Sequence, residues 1–284
     1  MDLRPLSPAL GAEVMGLDLS RGLAVAERDA VHHAWLEHGL LLFRGQDLDE
    51  AGLVKFGRNF GDLEPPPASA ERTRAETRGA AAPEVWIISN VVENGVAVGA
   101  LGDGEAEWHT DMSYMAEPPK ASVLHAKEIP PSGGNTSWAS MTAACRALDP
   151  DLLRRIEGRK ANHDSSYTAA GQLRKGADSV TDVTQAPGAV HPILRRHPET
   201  GEEAIYLGRR TNAYIPDLPV EESEELLDAL WTHCARPDFV YEHVWAVGDV
   251  VMWDNRSTIH RREAFDAASR RYMIRVQIKG DRPV

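Results

Sequence analysis

What the chain has little of already narrows its class. Cysteine is scarce: Cys145 and Cys234 are the only two, far apart and each inside a helix-like stretch. That excludes a disulfide framework and reads as two buried free thiols. Long apolar runs are missing too. None approaches the roughly 18 residues that a bilayer crossing needs, so no membrane span is expected. The start, Met1-Asp2-Leu3-Arg4-Pro5, has no basic segment followed by an apolar one, so no signal peptide is read and a cytoplasmic protein is the expectation. Basic charge is short as well. The formal net charge is −12, and the densest basic spots are the pairs Arg261-Arg262 and Arg270-Arg271. Such a chain repels phosphate backbones, which argues against a nucleic-acid partner. Internal repeats and low-complexity segments are absent, and so are the His-Glu-x-x-His pattern and the cysteine sets of zinc hydrolases.

Turn formers, by contrast, are frequent, with 18 Pro and 23 Gly in 284 residues. This points to a strand-rich fold. The expected organisation is one domain over 1–284 of α+β class, with long polar loops at about 64–83, 98–107 and 165–190 placed to fold over a site. Helical spacing appears at 27–38, 49–60, 140–156 (interrupted at Pro150) and 221–233. Short apolar or alternating runs predict strands at 40–43, 85–88, 122–126, 239–245, 250–253 and 272–278. His197-Pro198-Glu199-Thr200-Gly201 reads as the turn of a hairpin.

The central chemical signal is Trp108-His109-Thr110-Asp111. A His and a carboxylate two residues apart point the same way from an extended backbone and can grip one metal ion from one side. A second His completes a two-His, one-carboxylate face with open positions for oxygen and a cosubstrate. His260 follows an apolar strand-like run and is placed to supply it. Of the other histidines only His163, beside Asp164 at the edge of a polar loop, is a secondary candidate. Arg271 and Arg275 lie 11 and 15 residues after His260 and share a face of the last strand. A planar, permanently charged guanidinium suits a dicarboxylate whose other end chelates the metal.

Together, Trp-His-Thr-Asp around His109, Gly133-Gly134-Asn135-Thr136, Trp253-Asp254-Asn255-Arg256 with His260, and then Arg271 and Arg275 resemble the taurine dioxygenase family. That family includes the dioxygenases that cleave phenoxyalkanoate herbicides. The similarity runs from Leu10-Gly11-Ala12-Glu13 through Phe43-Arg44-Gly45-Gln46 to the final strand. The resemblance implies a double-stranded β-helix (jelly-roll) core with flanking helices. It implies Fe(II) held by His109, Asp111 and His260, with 2-oxoglutarate as cosubstrate and O2 as oxidant. Thr136, 27 residues after His109, and Arg271 would hold the distal carboxylate of 2-oxoglutarate. Arg275 would lie near its metal-binding end and reach an anionic group on the prime substrate. Asp111, at a position where related halogenases carry a small residue, favours hydroxylation. A homo-oligomer, dimer or tetramer, is also implied.

The substrate is less legible. The segment after Phe60-Gly61 lacks the His that helps bind sulfonate in taurine dioxygenases, and Glu105, Ser165 and Thr211 replace other pocket residues of that family. Taurine itself is therefore disfavoured. Candidate substrate contacts are Arg275, Glu105, Met112, Ser165 and Thr211. A small anionic compound is expected, either a carboxylate with an ether or aromatic portion or an amino acid in biosynthetic tailoring. Two other classes remain open: a non-oxidative, cupin-like metal enzyme, and a binding protein that has lost turnover.

Overall fold

The computed structural model describes residues 1–66 and 79–284. The expected loop at 64–83 therefore lies partly outside the described residues. Among those described, the largest sheet has nine strands. Its order is Asp2–Pro5, Ala12–Met15, Leu40–Phe43, Val250–Asp254, Ala121–Glu128, Tyr272–Ile278, Trp86–Ser89 and Ala100–Leu101, with Leu63–Glu64 also paired to Tyr272–Ile278. A four-stranded sheet runs Val240–His243, Thr136–Ser140, Thr258–Arg262 and Ala106–His109.

Alternation along these strands sorts the core. Leu41 and Phe43 point to one side of the large sheet, joined by Val123, Ile274 and Val276, and meet Val31, Trp35, Leu53 and Phe56 from the helices Val25–His38 and Glu50–Arg58. Leu40, Leu42, Leu124 and Met273 point the other way, into a cluster with Trp138, Trp245 and Trp253. A third cluster packs Ala139 and Ile259 of the small sheet against Leu226, Leu227 and Leu230 of the helix Val220–Cys234.

The same period places the candidate site. Arg275 and Gln277 share the face of Met273, and Arg271 precedes Met273 by two residues. Ser122 shares the face of Leu124, and His260 and Arg262 alternate with outward-facing Ile259. Residue pairs across strands bring them level: His109 lies opposite His260, Thr136 opposite Arg262, and Arg275 opposite Leu124. The predicted helices and hairpin are present within a few residues. The strands Thr136–Ser140, Lys160–Asp164 and Thr258–Arg262 are not legible in the sequence, because their small polar and charged residues carry no apolar alternation. The stretch 239–245 is shorter than expected: Pro237–Phe239 forms a 3-10 turn and the strand covers Val240–His243. No helix is long and apolar enough to cross a membrane among the described residues.

Candidate active site

His109 ends the strand Ala106–His109, Asp111 follows two residues later, and His260 faces His109 from the neighbouring strand. One ligand atom from each lies within 4.8 Å of the other two, and among the described residues this is the group able to hold a metal ion. Nε2 of His109 and Nε2 of His260 are each 3.9 Å from Oδ1 of Asp111. His109 Nδ1 lies 2.7 Å from the Glu107 carbonyl oxygen. A carbonyl only accepts, so Nδ1 carries the hydrogen and Nε2 turns its lone pair to the shared point. Burial pushes both imidazoles below their ordinary pKa, which keeps them in the neutral, ligating form. Asp111 is buried too, which opposes ionisation. Arg275 first, then His260, His109 and the Ser122 hydrogen bond, outweigh that and hold its carboxyl well below the usual range.

The carboxylate is also fixed in orientation. Ser122 Oγ donates to Oδ2 of Asp111 at 2.7 Å, and the serine oxygen in turn accepts from Asn255 at 3.1 Å and Gln277 at 3.2 Å. Asn255 is itself positioned by the Trp253 indole, 2.8 Å from its Oδ1. Its neighbour Asp254 accepts from Arg256 and from His197, and Arg256 lies over the Trp35 ring. Trp253-Asp254-Asn255-Arg256 is thus a brace: one arm reaches Asp111 through Ser122, the other ties the turn before His260 to the helix Val25–His38. Such orienting partners commonly matter about 10–100-fold for a metal site.

Beside the metal group lies a small cavity of about 70 Å³, lined by His109, His260, Thr136, Arg262, Arg271 and Arg275 among others. Arg271 is 1% exposed, yet its Nε and Nη1 have no hydrogen-bond partner among the described residues. Burial, with the like charge of Arg262, pushes its pKa down to about 9. A buried guanidinium without a counter-charge is costly, and an entering carboxylate would neutralise it. Thr136 accepts a hydrogen bond from Trp245 Nε1 at 3.0 Å, which leaves its own O–H to donate. Gly133 and Gly134, at φ +71° and +68°, turn the chain into this strand. A Cβ on Gly134 would stand 3.4 Å from Arg271 Nε, and one on Gly133 2.8 Å from the Ala264 carbonyl. The donor set therefore fits Fe(II), and the cavity beside it fits a dicarboxylate cosubstrate.

A second, larger cavity of about 510 Å³ opens on the other side of His109 and Asp111 and holds Trp86, Met112, Tyr114, Arg174, Arg209 and Arg275. Its placement corrects part of the sequence reading. Met112 lines it, in the left-handed region at φ 48°, where the chain turns sharply after Asp111. Glu105 does not: it is exposed and lines an outer groove with Arg210 and Arg261. Ser165 is held aside by the Pro187 carbonyl, and Thr211 is exposed in a turn. These three positions rest on matching loops whose course the sequence does not determine. Arg275 lines both cavities, but it is not an unpaired cation: Nη1 donates to Asp111 Oδ1 at 2.9 Å and the guanidinium lies over Trp86. His163 is buried against Tyr206, apart from the metal group. Arg262 is an addition to the sequence reading, and its place two residues after His260 marks it for the same face. It binds the carbonyls of Gly102 and Gly104, tying to the small cavity the turn between Ala100–Leu101 and Ala106–His109, strands that take up part of the loop expected at 98–107. Ser122, Tyr114, Arg174 and Arg209 carry no motif that would single them out.

The family model described as taurine catabolism dioxygenase TauD, TfdA family matches residues 2–277. The (S)-phenoxypropionate/alpha-ketoglutarate-dioxygenase of Sphingobium herbicidovorans is 35% identical, with 99% of this chain and 95% of the relative covered. The alpha-ketoglutarate-dependent 2,4-dichlorophenoxyacetate dioxygenase of Cupriavidus pinatubonensis is 33% identical, with 98% and 97% covered. A solved structure, AAD-2 in complex with Mn(II) and N-oxalylglycine, matches with a TM-score of 0.80 at 31% identity, covering 99% of this chain and 98% of that one.

Proposed function

The chain belongs to the TauD, TfdA dioxygenase family and is an alpha-ketoglutarate-dependent dioxygenase; we propose that it hydroxylates a small anionic organic substrate at Fe(II) held by His109, Asp111 and His260. The carrying observation is Arg271, a buried guanidinium without a partner on its Nε and Nη1, in the same cavity as the two metal-facing histidines. A non-oxidative cupin-like enzyme has no use for that cation, whereas the distal carboxylate of 2-oxoglutarate has. The two facing sheets support a double-stranded β-helix core for this arrangement.

When bound, iron with 2-oxoglutarate and O2 supplies the oxidising power: one oxygen atom enters succinate as CO2 leaves, and the other becomes the product hydroxyl. The chain's own residues do the positioning. Arg271 and the Thr136 hydroxyl hold the distal carboxylate. Ser122 and Arg275 keep Asp111 ionised and turned toward the histidines. Arg262 fixes the turn at Gly102 and Gly104 beside the cavity and so helps to exclude water. Where the hydroxyl lands on a carbon bearing a heteroatom, the product collapses and the reaction appears as cleavage. The aryloxy acids in the relatives' names support a carboxylate with an aromatic portion as the first substrate class to try. Assembly as a dimer or tetramer and a cytoplasmic site of action belong to the same proposal; gel filtration tests the first.

The test is to mix anaerobic protein with Fe(II) and 2-oxoglutarate and record the visible spectrum, then to screen aryloxy acids, sulfonates and amino acids for succinate release. A weak charge-transfer band that His109→Ala abolishes is the expected result. Bound metal without any band would mean that 2-oxoglutarate does not chelate it, and sinks the proposed Fe(II) and 2-oxoglutarate site.

A further inference from the structure

Among the described residues, the lining of the larger cavity holds more basic than acidic side chains. Arg174, Lys175, Arg209 and Arg275 line it, against the carboxylates of Asp103 and Asp111. The two acids are already engaged: Asp111 accepts from Arg275 at 2.9 Å, and the charge of Asp103 acts on Arg262. Arg209 is engaged as well. It donates to the carbonyls of Thr168 and Asp164, both at 2.7 Å, and lies 3.8 Å from the Asp164 carboxylate.

Arg174 differs from these. Its Nε donates to the Tyr167 carbonyl at 3.1 Å, and its guanidinium carbon stands 4.7 Å from the centre of the Tyr114 ring. The backbone bond and the ring fix the plane of the fork. Among the described residues no acceptor or carboxylate meets its two terminal nitrogens, and no hydrogen bond engages the Tyr114 hydroxyl. The charge of Arg174 also bears on Arg209, whose own guanidinium is met by the Asp164 carboxylate. An oriented guanidinium with both outer N–H groups free is a bidentate donor site for an oxyanion. Tyr114 lies three residues after Asp111, so the same short segment carries a metal-facing carboxylate and the ring under Arg174. Trp86, Val91, Met112 and Leu173 supply apolar wall.

We propose that Arg174, backed by Tyr114, holds the anionic group of the prime substrate, with the rest of the substrate lying along Trp86, Val91, Met112 and Leu173. The inference rests on the dioxygenase reading and deepens it. It moves the anchor from Arg275, which is committed to Asp111, to a residue on the 165–190 loop. A carboxylate and a sulfate ester present the same paired oxygens to the fork, and the choice between them falls to experiment.

The experiment measures succinate release by the iron-loaded enzyme with 2-oxoglutarate and, in turn, phenoxyacetate, hexyl sulfate and the neutral phenoxyacetamide. At least one anion stimulates and the amide does not; which anion does so identifies the headgroup. Arg174→Gln then raises KM for that anion roughly 10- to 100-fold, the range for losing hydrogen bonds to a charged group. KM for 2-oxoglutarate stays within about twofold, which also reports an intact fold, and Arg174→Lys recovers part of the loss. An unchanged KM in Arg174→Gln overturns the inference. So does an amide as effective as the anions, or failure of both anions to stimulate in a protein that binds 2-oxoglutarate. Failure of the wild-type protein to bind 2-oxoglutarate would instead break the dioxygenase assignment.

Discussion

The two cavities that share His109, Ala169 and Arg275 are built from different parts of the chain. The small one takes most of its lining from paired strands: His109, Thr136, His260 and Arg275 sit at register positions locked by neighbouring strands. The large one takes its distinctive side chains from loops, among them Tyr114, Arg174 and Arg209, the two arginines being held by hydrogen bonds to backbone carbonyls. A strand position cannot slip by one residue without sending its side chain to the other face. A loop position can be exchanged at little cost to the frame. The proposed metal and cosubstrate group is therefore framed mostly by strands, and the proposed substrate anchor by loops.

This contrast predicts a graded series of effects. The largest belongs to the metal group. Asp111→Ala removes a proposed ligand and should cost more than the roughly 100-fold that an orienting partner costs at most, with loss of bound iron in a metal assay. Retention of stoichiometric iron and turnover would detach Asp111 from the chemistry.

Next comes Arg271→Gln. It should raise KM for 2-oxoglutarate roughly 100-fold while leaving the ligand-free protein with a higher Tm, because it deletes a buried charge whose Nε and Nη1 lack partners. A lower Tm together with an unchanged KM would show that Arg271 serves the frame rather than the cosubstrate.

A third, smaller effect tests the frame itself. Burial, and then Lys127, push the His125 imidazole down to about 4, and burial lowers His163 in the same direction. Folded His125 stays neutral where the unfolded chain takes up a proton. Stability should therefore fall as pH drops from about 6.5 to about 4, by on the order of 3 kcal/mol from this group. Urea unfolding across that range should show a shallower fall in His125→Gln, with part of the slope left to His163. An identical slope would mean that His125 is not held neutral.

The smallest effects are expected at the outer loops. Glu105→Gln, Ser165→Ala and Thr211→Ala should each change kcat/KM by less than about threefold, since none lines the large cavity. A tenfold loss at Glu105 would place the outer groove on the substrate's path.

The proposed ligand triad is legible in the sequence through motifs in a fixed order, His109 and Asp111 two apart and His260 after the apolar run 250–253. Arg271 is legible for the same reason. What the sequence withholds is pairing. Arg275 looks as free as Arg271 on paper, and only its 2.9 Å contact with Asp111, 164 positions away, separates them.

By itself, then, the sequence pointed to the family and its reaction class, to the proposed ligands and to the helices and the apolar strands, since these follow from motifs that recur in order along the chain and from local periodicity. The tertiary structure alone decided which arginine nitrogens lack partners among the described residues, which loop residues line the large cavity and what Trp253-Asp254-Asn255-Arg256 braces. Those depend on contacts between distant segments, and a buried charge takes its meaning from whichever partner the fold brings to it.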